Sequence, residues 1–278
     1  MKIIPKPITD QKAKSIFEIC VGGYVQEKKR QELLKYSSEV ERVSDEYEQY
    51  IPNDFENFNH PVFSSADKKR LESIYSYQFR EKIGKTFYNQ IMRNAKHLCP
   101  YCGEGRPTNL DHFLPQSKYP LLVVTPVNLV PSCKDCNMEK NAVIPTSNED
   151  IPLHPYYDDI NIKWLDATIK FDKDESFTID FFNVVNITTN RILSKRIDAH
   201  MKSHALKECF ETHSTSEINS IKYKHADLAK LNRSELINDL QDRIWSAERY
   251  DINSWKSAMY RALLNQVDEY IGWLMMLK

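Results

Sequence analysis

Apolar residues recur at helical spacing over most of the chain, and only a few short stretches alternate instead. Residues 10–21 read as a first helix, with Asp10 as its N-cap and Gly22-Gly23 closing it. Over 26–51 the positions Leu33, Val40, Val43, Tyr47 and Ile51 mark one face of an amphipathic helix that Pro52 stops. Ser64 and Asp67 then give a capping-box-like start to another helix, where Leu71, Tyr75, Phe79, Ile83, Phe87 and Ile91 recur every four residues with Gly84 as a kink. Residues 189–211 are helical by the same criterion, and the last 65 residues give three further helices. In the final one Trp255, Met259, Leu263, Val267, Tyr270, Leu274 and Leu277 form a stripe, which Arg261, Asp268 and Glu269 make unsuitable for a bilayer.

The alternating stretches are short. Residues 109–114 alternate up to Pro115, and Asn128-Leu129-Val130 offers a partner strand. Residues 137–142 have the composition of a short helix, so the middle of the chain reads as a ββα unit. Asp111 and His112 are adjacent on the first strand, and a bulge or a strand end is needed for both to serve one site. Residues 167–171 and 177–181 alternate around the charged turn 172–176 and read as a β-hairpin. The expected class is α+β with helices dominant, in three regions: an N-terminal helical region 1–95, a core with the following hairpin over 96–187, and a C-terminal helical region 188–278. No repeat, low-complexity tract or Gly/Ser linker separates them.

Composition narrows the class. At 278 residues and 41% hydrophobic content the chain can build a real core. Met1 to Pro7 lacks the apolar run of a signal peptide and no stretch offers about 20 uninterrupted apolar residues, which points to a cytoplasmic protein without a membrane partner. A net charge of −1 excludes a basic glove for nucleic acid, so any phosphate contact must be local. Between positions 61 and 106 nine Lys/Arg stand against four acids. Lys68, Lys69, Arg70 and Arg106 are the phosphate-facing candidates there, and a solvated helix face is the competing reading.

Four of the six cysteines fall in two CxxC pairs, Cys99/Cys102 and Cys133/Cys136, separated by 30 residues. Each pair presents two sulfurs to one ion, which is the donor set of a closed structural Zn²⁺ site. Gly103 and Gly105 follow the first pair, where the chain must turn tightly around metal-bound sulfur. Cys20 and Cys209 read as ordinary buried thiols. Two further clusters have only formal metal spacing: the 154–159 run HPYYDD, which reads first as a turn, and His200, His204 and Glu208 at i, i+4 and i+8, which read first as a polar helix face.

Over about 45 residues, the CxxC pairs, the Asp111-His112 dipeptide, the Asn128-Leu129 step and the Cys136-Asn137-x-x-Lys140 ending occur in an order that resembles the HNH endonuclease superfamily. The resemblance implies a ββα-metal fold and a metal-dependent hydrolase of nucleic acid, DNA favoured. It implies that His112 is the general base, that Asp111 and Asn137 hold a Mg²⁺ or Mn²⁺ ion, and that Asn128 orients His112 or its loop. Many relatives carry His after the last Cys, whereas Asn137 is a neutral oxygen ligand suited to a hard cation. Lys140, three positions on, is a candidate phosphate contact beside the metal, with a solvent-exposed lysine as the alternative. Such domains with long helical flanks resemble nuclease subunits of prokaryotic anti-phage systems of the Septu and retron-associated kinds, which implies a protein partner, an ATPase in the Septu case. The alternative is a non-catalytic zinc-knuckle module for binding nucleic acid or for scaffolding, in which Asp111 and His112 are incidental strand residues.

Overall fold

The Ser64/Asp67 pair caps a helix as its spacing predicts: Ser64 Oγ accepts from the Asp67 backbone N–H and donates to its carboxylate at 2.7 Å. A computed structural model describes residues 1–7, 11–51, 53–141, 144–171 and 177–277, and divides the chain into two units, Met1–Asp159 and Ile160–Lys278.

The first unit contains α1 (Ala13–Gly22), α2 (Glu27–Leu34), α3 (Ser37–Tyr50), α4 (Ser65–Ser73), a π-helical turn (Ile74–Phe79) and α5 (Lys85–Arg93). It continues with strands β1 (Asn109–His112) and β2 (Leu129–Ser132) and helix α6 (Lys134–Lys140). The expected N-cap Asp10 and stop Pro52 lie outside the described residues. The single helix expected over 26–51 is instead two, α2 and α3. In α2 only Leu33 is buried, so packing gives that mostly charged segment little reason to stay in line with α3, which buries Val40, Val43 and Tyr47. The helix expected to run through Ile91 likewise breaks, first into the π-helical turn and then over 80–84. Phe17, Tyr47, Leu71, Phe79 and Ile91 are completely buried, each burial contributing roughly 1.5–3 kcal/mol.

β1 and β2 pair antiparallel with Asp111 opposite Val130 and His112 opposite Leu129. The loop between them is almost wholly buried from Leu121 to Asn128, so it forms a wall of the unit rather than a surface excursion.

In the second unit, β3 (Leu165–Phe171) and β4 (Phe177–Asn183) form an antiparallel pair, and the charged turn expected between them lies outside the described residues. Helices α7 (Arg191–Ser203), α8 (Leu206–Leu231), α9 (Arg233–Tyr250), α10 (Trp255–Asn265) and α11 (Val267–Met276) complete it. The hairpin, grouped in the sequence with 96–187, packs here: α10 lies on β3 and α8 on β4, around Trp164, Phe181, Phe210, Tyr260 and Tyr270. Two expected helices are interrupted. The one over 189–211 breaks where Ala205 takes φ +46°, ψ +46°. The final stripe breaks at Gln266, whose Oε1 accepts from Ile169 N–H and Thr168 Oγ1, both at 2.7 Å. The stripe residues from Trp255 to Leu274 are nevertheless buried, because the break redirects the helix without removing that face from the core. Over the described residues the protein is thus helix-dominated with two small antiparallel hairpins, and none of their helices is long and apolar enough to cross a membrane.

Candidate functional site

The two CxxC turns come together. Cys99, Cys102, Cys133 and Cys136 are buried, and their sulfurs all lie within 4.8 Å of one another. A tetrahedral Zn²⁺ with bonds of about 2.3 Å needs sulfurs about 3.8 Å apart, and Cys102 Sγ to Cys133 Sγ is 4.0 Å. The first turn is closed by Gly103 N–H to Cys99 O and Cys99 N–H to Gly105 O, both 2.7 Å. Gly103 has φ +78°, and a Cβ on Gly105 would stand 2.6 Å from Cys133 Cβ, so these two positions require glycine for backbone and for space. Backbone N–H groups of Glu104 and Gly105 point at Cys102 Sγ (3.4 and 3.3 Å), and that of Cys136 points at Cys133 Sγ (3.4 Å). Donors aimed at sulfur are what thiolate ligands need. Contact with Cys102, together with Cys99 and burial, pushes the Cys133 thiol up against an opposing effect of Cys136, and contact with Cys102, Cys133 and Cys99 together with burial pushes the Cys136 thiol up. At Cys99 the Cys102 contact also raises, but Cys133 and Cys136 outweigh it and hold that thiol low. Four thiolates packed together are balanced only by a cation, and the donor set fits zinc.

Cys133 is also the N-cap of α6, so the cysteine cluster fixes the start of that helix beside the hairpin. The consequence is a cleft of about 480 Å³ whose lining includes Asp111 and His112 from the end of β1 and Asn137 from α6. The strand end brings the adjacent pair to one place: His112 is the last residue of β1, and both Asp111 and His112 line the same cleft. Asn137 is half-buried, and its side chain has no hydrogen-bond partner among the described residues.

His112 is buried, and its Nε2 lies 3.0 Å from Val123 O. A carbonyl only accepts, so Nε2 carries the hydrogen and Nδ1 keeps its lone pair, with no partner among the described residues. Burial pushes the His112 imidazolium down to about 4, against a smaller opposing effect of the Val123 hydrogen bond. The ring is therefore neutral at pH 7. Tyr75 meets it edge-on with centroids 4.5 Å apart and donates its hydroxyl to Leu110 O at 2.9 Å.

Asn128, fully buried, does not bond His112. Its Oδ1 accepts from Leu114 N–H at 2.8 Å, and its Nδ2 donates to Leu114 O and Leu122 O at 3.1 and 3.4 Å. It clamps the loop that carries Val123, and so reaches His112 through that loop.

Lys140 is neither solvent-exposed nor turned to a phosphate. Its side chain is 2% exposed, with Nζ 2.9 Å from Asp111 Oδ2 and 2.6 Å from His112 O. Lys140 is the last residue of α6, and its side chain reaches across to the Asp111–His112 end of β1, where the ammonium is buried. Lys68, Lys69 and Arg70 lie on α4 and Arg106 is exposed ahead of β1, and none of them lines the cleft. Arg80, one of the nine basic residues counted between 61 and 106, does line it, as do Glu72, Gln116, Ser117 and Asn141, which the sequence did not single out for this place. Tyr101 was also missed, although it sits inside the first CxxC: its hydroxyl donates to Asp111 Oδ2 at 2.8 Å.

The two secondary clusters are structural. His154 is buried in a turn, with Nδ1 accepting from Tyr156 N–H and Nε2 2.9 Å from Tyr47 OH, while Asp158 caps its backbone N–H. His200 on α7 and His204 at its C-cap keep their rings 4.7 Å apart, but Glu208 belongs to α8, beyond the break at Ala205. Among the described residues, only the cysteine cluster groups three or more ligating side chains at metal-binding distance.

No family profile and no solved structure matches the chain. It is 28% identical to protein ea31 of Escherichia phage lambda over 227 residues, covering 76% of this chain and 77% of that protein. It is 40% identical to Septu protein PtuB of Bacillus thuringiensis over 55 residues, which is 18% of this chain and about a fifth (21%) of PtuB.

Proposed function

We propose that the chain is a metal-dependent HNH endonuclease that hydrolyses phosphodiester bonds of nucleic acid, DNA favoured, as the nuclease component of an anti-phage defence complex. The observation that carries the reading is the convergence of Asp111, His112 and Asn137 on one cleft beside the cysteine cluster. The partial similarity to Septu protein PtuB supports the defence role and a protein partner, which in the Septu-type resemblance is an ATPase.

The neutral His112 accepts a proton at Nδ1 from water as its oxygen attacks phosphorus, and the bond from phosphorus to the 3′ oxygen breaks as that oxygen takes a proton from solvent. The Nε2–H to Val123 O bond keeps Nδ1 as the basic nitrogen, and Asn128 holds the loop that supplies that carbonyl. The Asp111 carboxylate and the Asn137 carboxamide form a hard oxygen donor pair that would hold Mg²⁺ or Mn²⁺. When bound, such an ion supplies charge neutralisation for the phosphate and the leaving oxygen. Arg80 lines the same cleft, with its Nε on Glu81 at 2.6 Å.

The test is Mg²⁺- or Mn²⁺-dependent cutting of plasmid, single-stranded DNA and RNA, with any co-purifying partner retained. His112→Ala should lose cleavage by about 10²- to 10⁴-fold while keeping zinc, fold and substrate binding, since deleting a base removes a transition-state interaction. Equal cleavage by wild type and His112→Ala rejects the mechanism. Nucleic-acid binding without cleavage by wild type returns the chain to the zinc-knuckle binding module.

A further inference from the structure

The strongest unexplained feature of the cleft lies just behind it. Lys140 is among the largest fully buried side chains of the protein. Burying an ammonium is costly unless every N–H finds an acceptor. Here three acceptors surround Nζ: Asp111 Oδ1 at 3.2 Å, Asp111 Oδ2 at 2.9 Å and His112 O at 2.6 Å. Three donors therefore meet three acceptors, all on the dipeptide that lines the cleft. Tyr101 OH adds a fourth contact, to Oδ2 at 2.8 Å, from inside the first cysteine turn.

We propose that Lys140 is a positioning residue that aims the Asp111–His112 pair. It grips the Asp111 carboxylate from the interior side and the His112 backbone at the strand end. The carboxylate is thereby fixed for an incoming cation, and the His112 ring is fixed for its bond to Val123 O. Because Lys140 is on the same short helix as Asn137, the three functional side chains are referenced to one rigid piece whose start is the Cys133 cap. The inference rests on the nuclease reading for its consequence in catalysis and on the contacts alone for its geometry.

The experiment uses the zinc-loaded chain as wild type, Lys140→Met and the double variant Asp111→Asn/Lys140→Met, with two readouts. Mn²⁺ affinity, followed by electron paramagnetic resonance, should fall about 10- to 100-fold in Lys140→Met, the usual cost of deleting a partner behind a metal ligand. The long-range ¹H–¹⁵N spectrum of the histidines should show His112 as the Nε2–H tautomer in wild type and displaced from it in Lys140→Met. If an uncompensated Asp111 prevents that variant from folding, the double variant removes both charges and restores the fold, and its His112 signals should still be displaced. Wild-type Mn²⁺ affinity with wild-type His112 signals in Lys140→Met, or wild-type His112 signals in the double variant, overturns the proposal. A wild type that neither binds Mn²⁺ nor cleaves removes the nuclease reading, while the His112 spectra decide the positioning role by themselves.

Discussion

Each of the two units buries a histidine next to an aspartate, and the two histidines are wired differently. In the first unit, His112 spends Nε2 on a backbone carbonyl, leaves Nδ1 without a partner among the described residues, and lines a cleft. In the second, His225 places Nδ1 2.9 Å from Tyr270 OH and Nε2 3.0 Å from Asp239 Oδ2. Asp239 is in turn held by Lys224 and Arg243, and those charges keep its carboxyl well below the usual range against the opposing effect of burial. Burial holds both imidazoles below their ordinary value. A shifted histidine is therefore no sign of chemistry by itself. What separates them is a ring nitrogen with nothing to do, beside an opening large enough for a substrate.

The largest way to sharpen this contrast is to remove the metal from the first unit. Cys133→Ser, or chelation of the purified protein, should unfold or aggregate that unit, because structural zinc supplies about 10 kcal/mol or more of folding free energy. Metal analysis should find about one zinc per chain, and folded protein free of metal rejects the four-cysteine assignment. The cysteine contacts lie wholly within the first unit, so the second unit's near-ultraviolet signal should survive.

A smaller effect is expected at His225. Replacing it with Ala strips two buried hydrogen bonds, one to a charged group, and should cost about 2–3 kcal/mol in a urea melt. Cleavage per folded molecule should be unaffected, the reverse of His112→Ala. Loss of cleavage without loss of stability breaks the comparison.

The smallest effect is acid sensitivity. Burial pushes His60 as well as His112 down to about 4, whereas an unfolded histidine titrates near 6.5. The unfolded chain thus takes up protons that the native state refuses. Stability from these groups is complete above about pH 6.5 and is lost as pH falls through 6.5 towards 4. By pH 5 each should have cost on the order of 1–2 kcal/mol, and His60→Asn should flatten the dependence between pH 7 and 5. A variant with the wild-type slope removes His60 from this account.

Much of the fold was legible because it is local. The CxxC turns, their glycines and the Ser64 cap are fixed by a few consecutive residues, so sequence spacing carries the geometry. Both hairpins were legible from alternation, and the helix-dominated class from periodicity. Helix ends were less so. Gln266 leaves its helix to serve the edge of β3, and Ala205 takes a left-handed turn between two helices that each keep their apolar face buried. Such breaks depend on partners distant in the chain, and an apolar stripe reads the same on either side of them.

The sequence by itself determined which residues could form a metal cluster and that an Asp-His pair would sit on a strand between its halves. Tertiary structure decided what surrounds that pair. Lys140 reads as a phosphate contact or a solvent-exposed charge because helical periodicity places it only relative to its own axis, and the fold buries its ammonium on Asp111 and His112 O. Arg80 and Tyr75 reach the cleft because a π-helical turn resets the register of their helix, and Tyr101 reaches Asp111 because zinc-type turns fold the first cysteine pair against β1. Contacts between segments 10 to 37 residues apart are set by how elements pack, and packing is a property of surfaces that no single stretch of sequence contains.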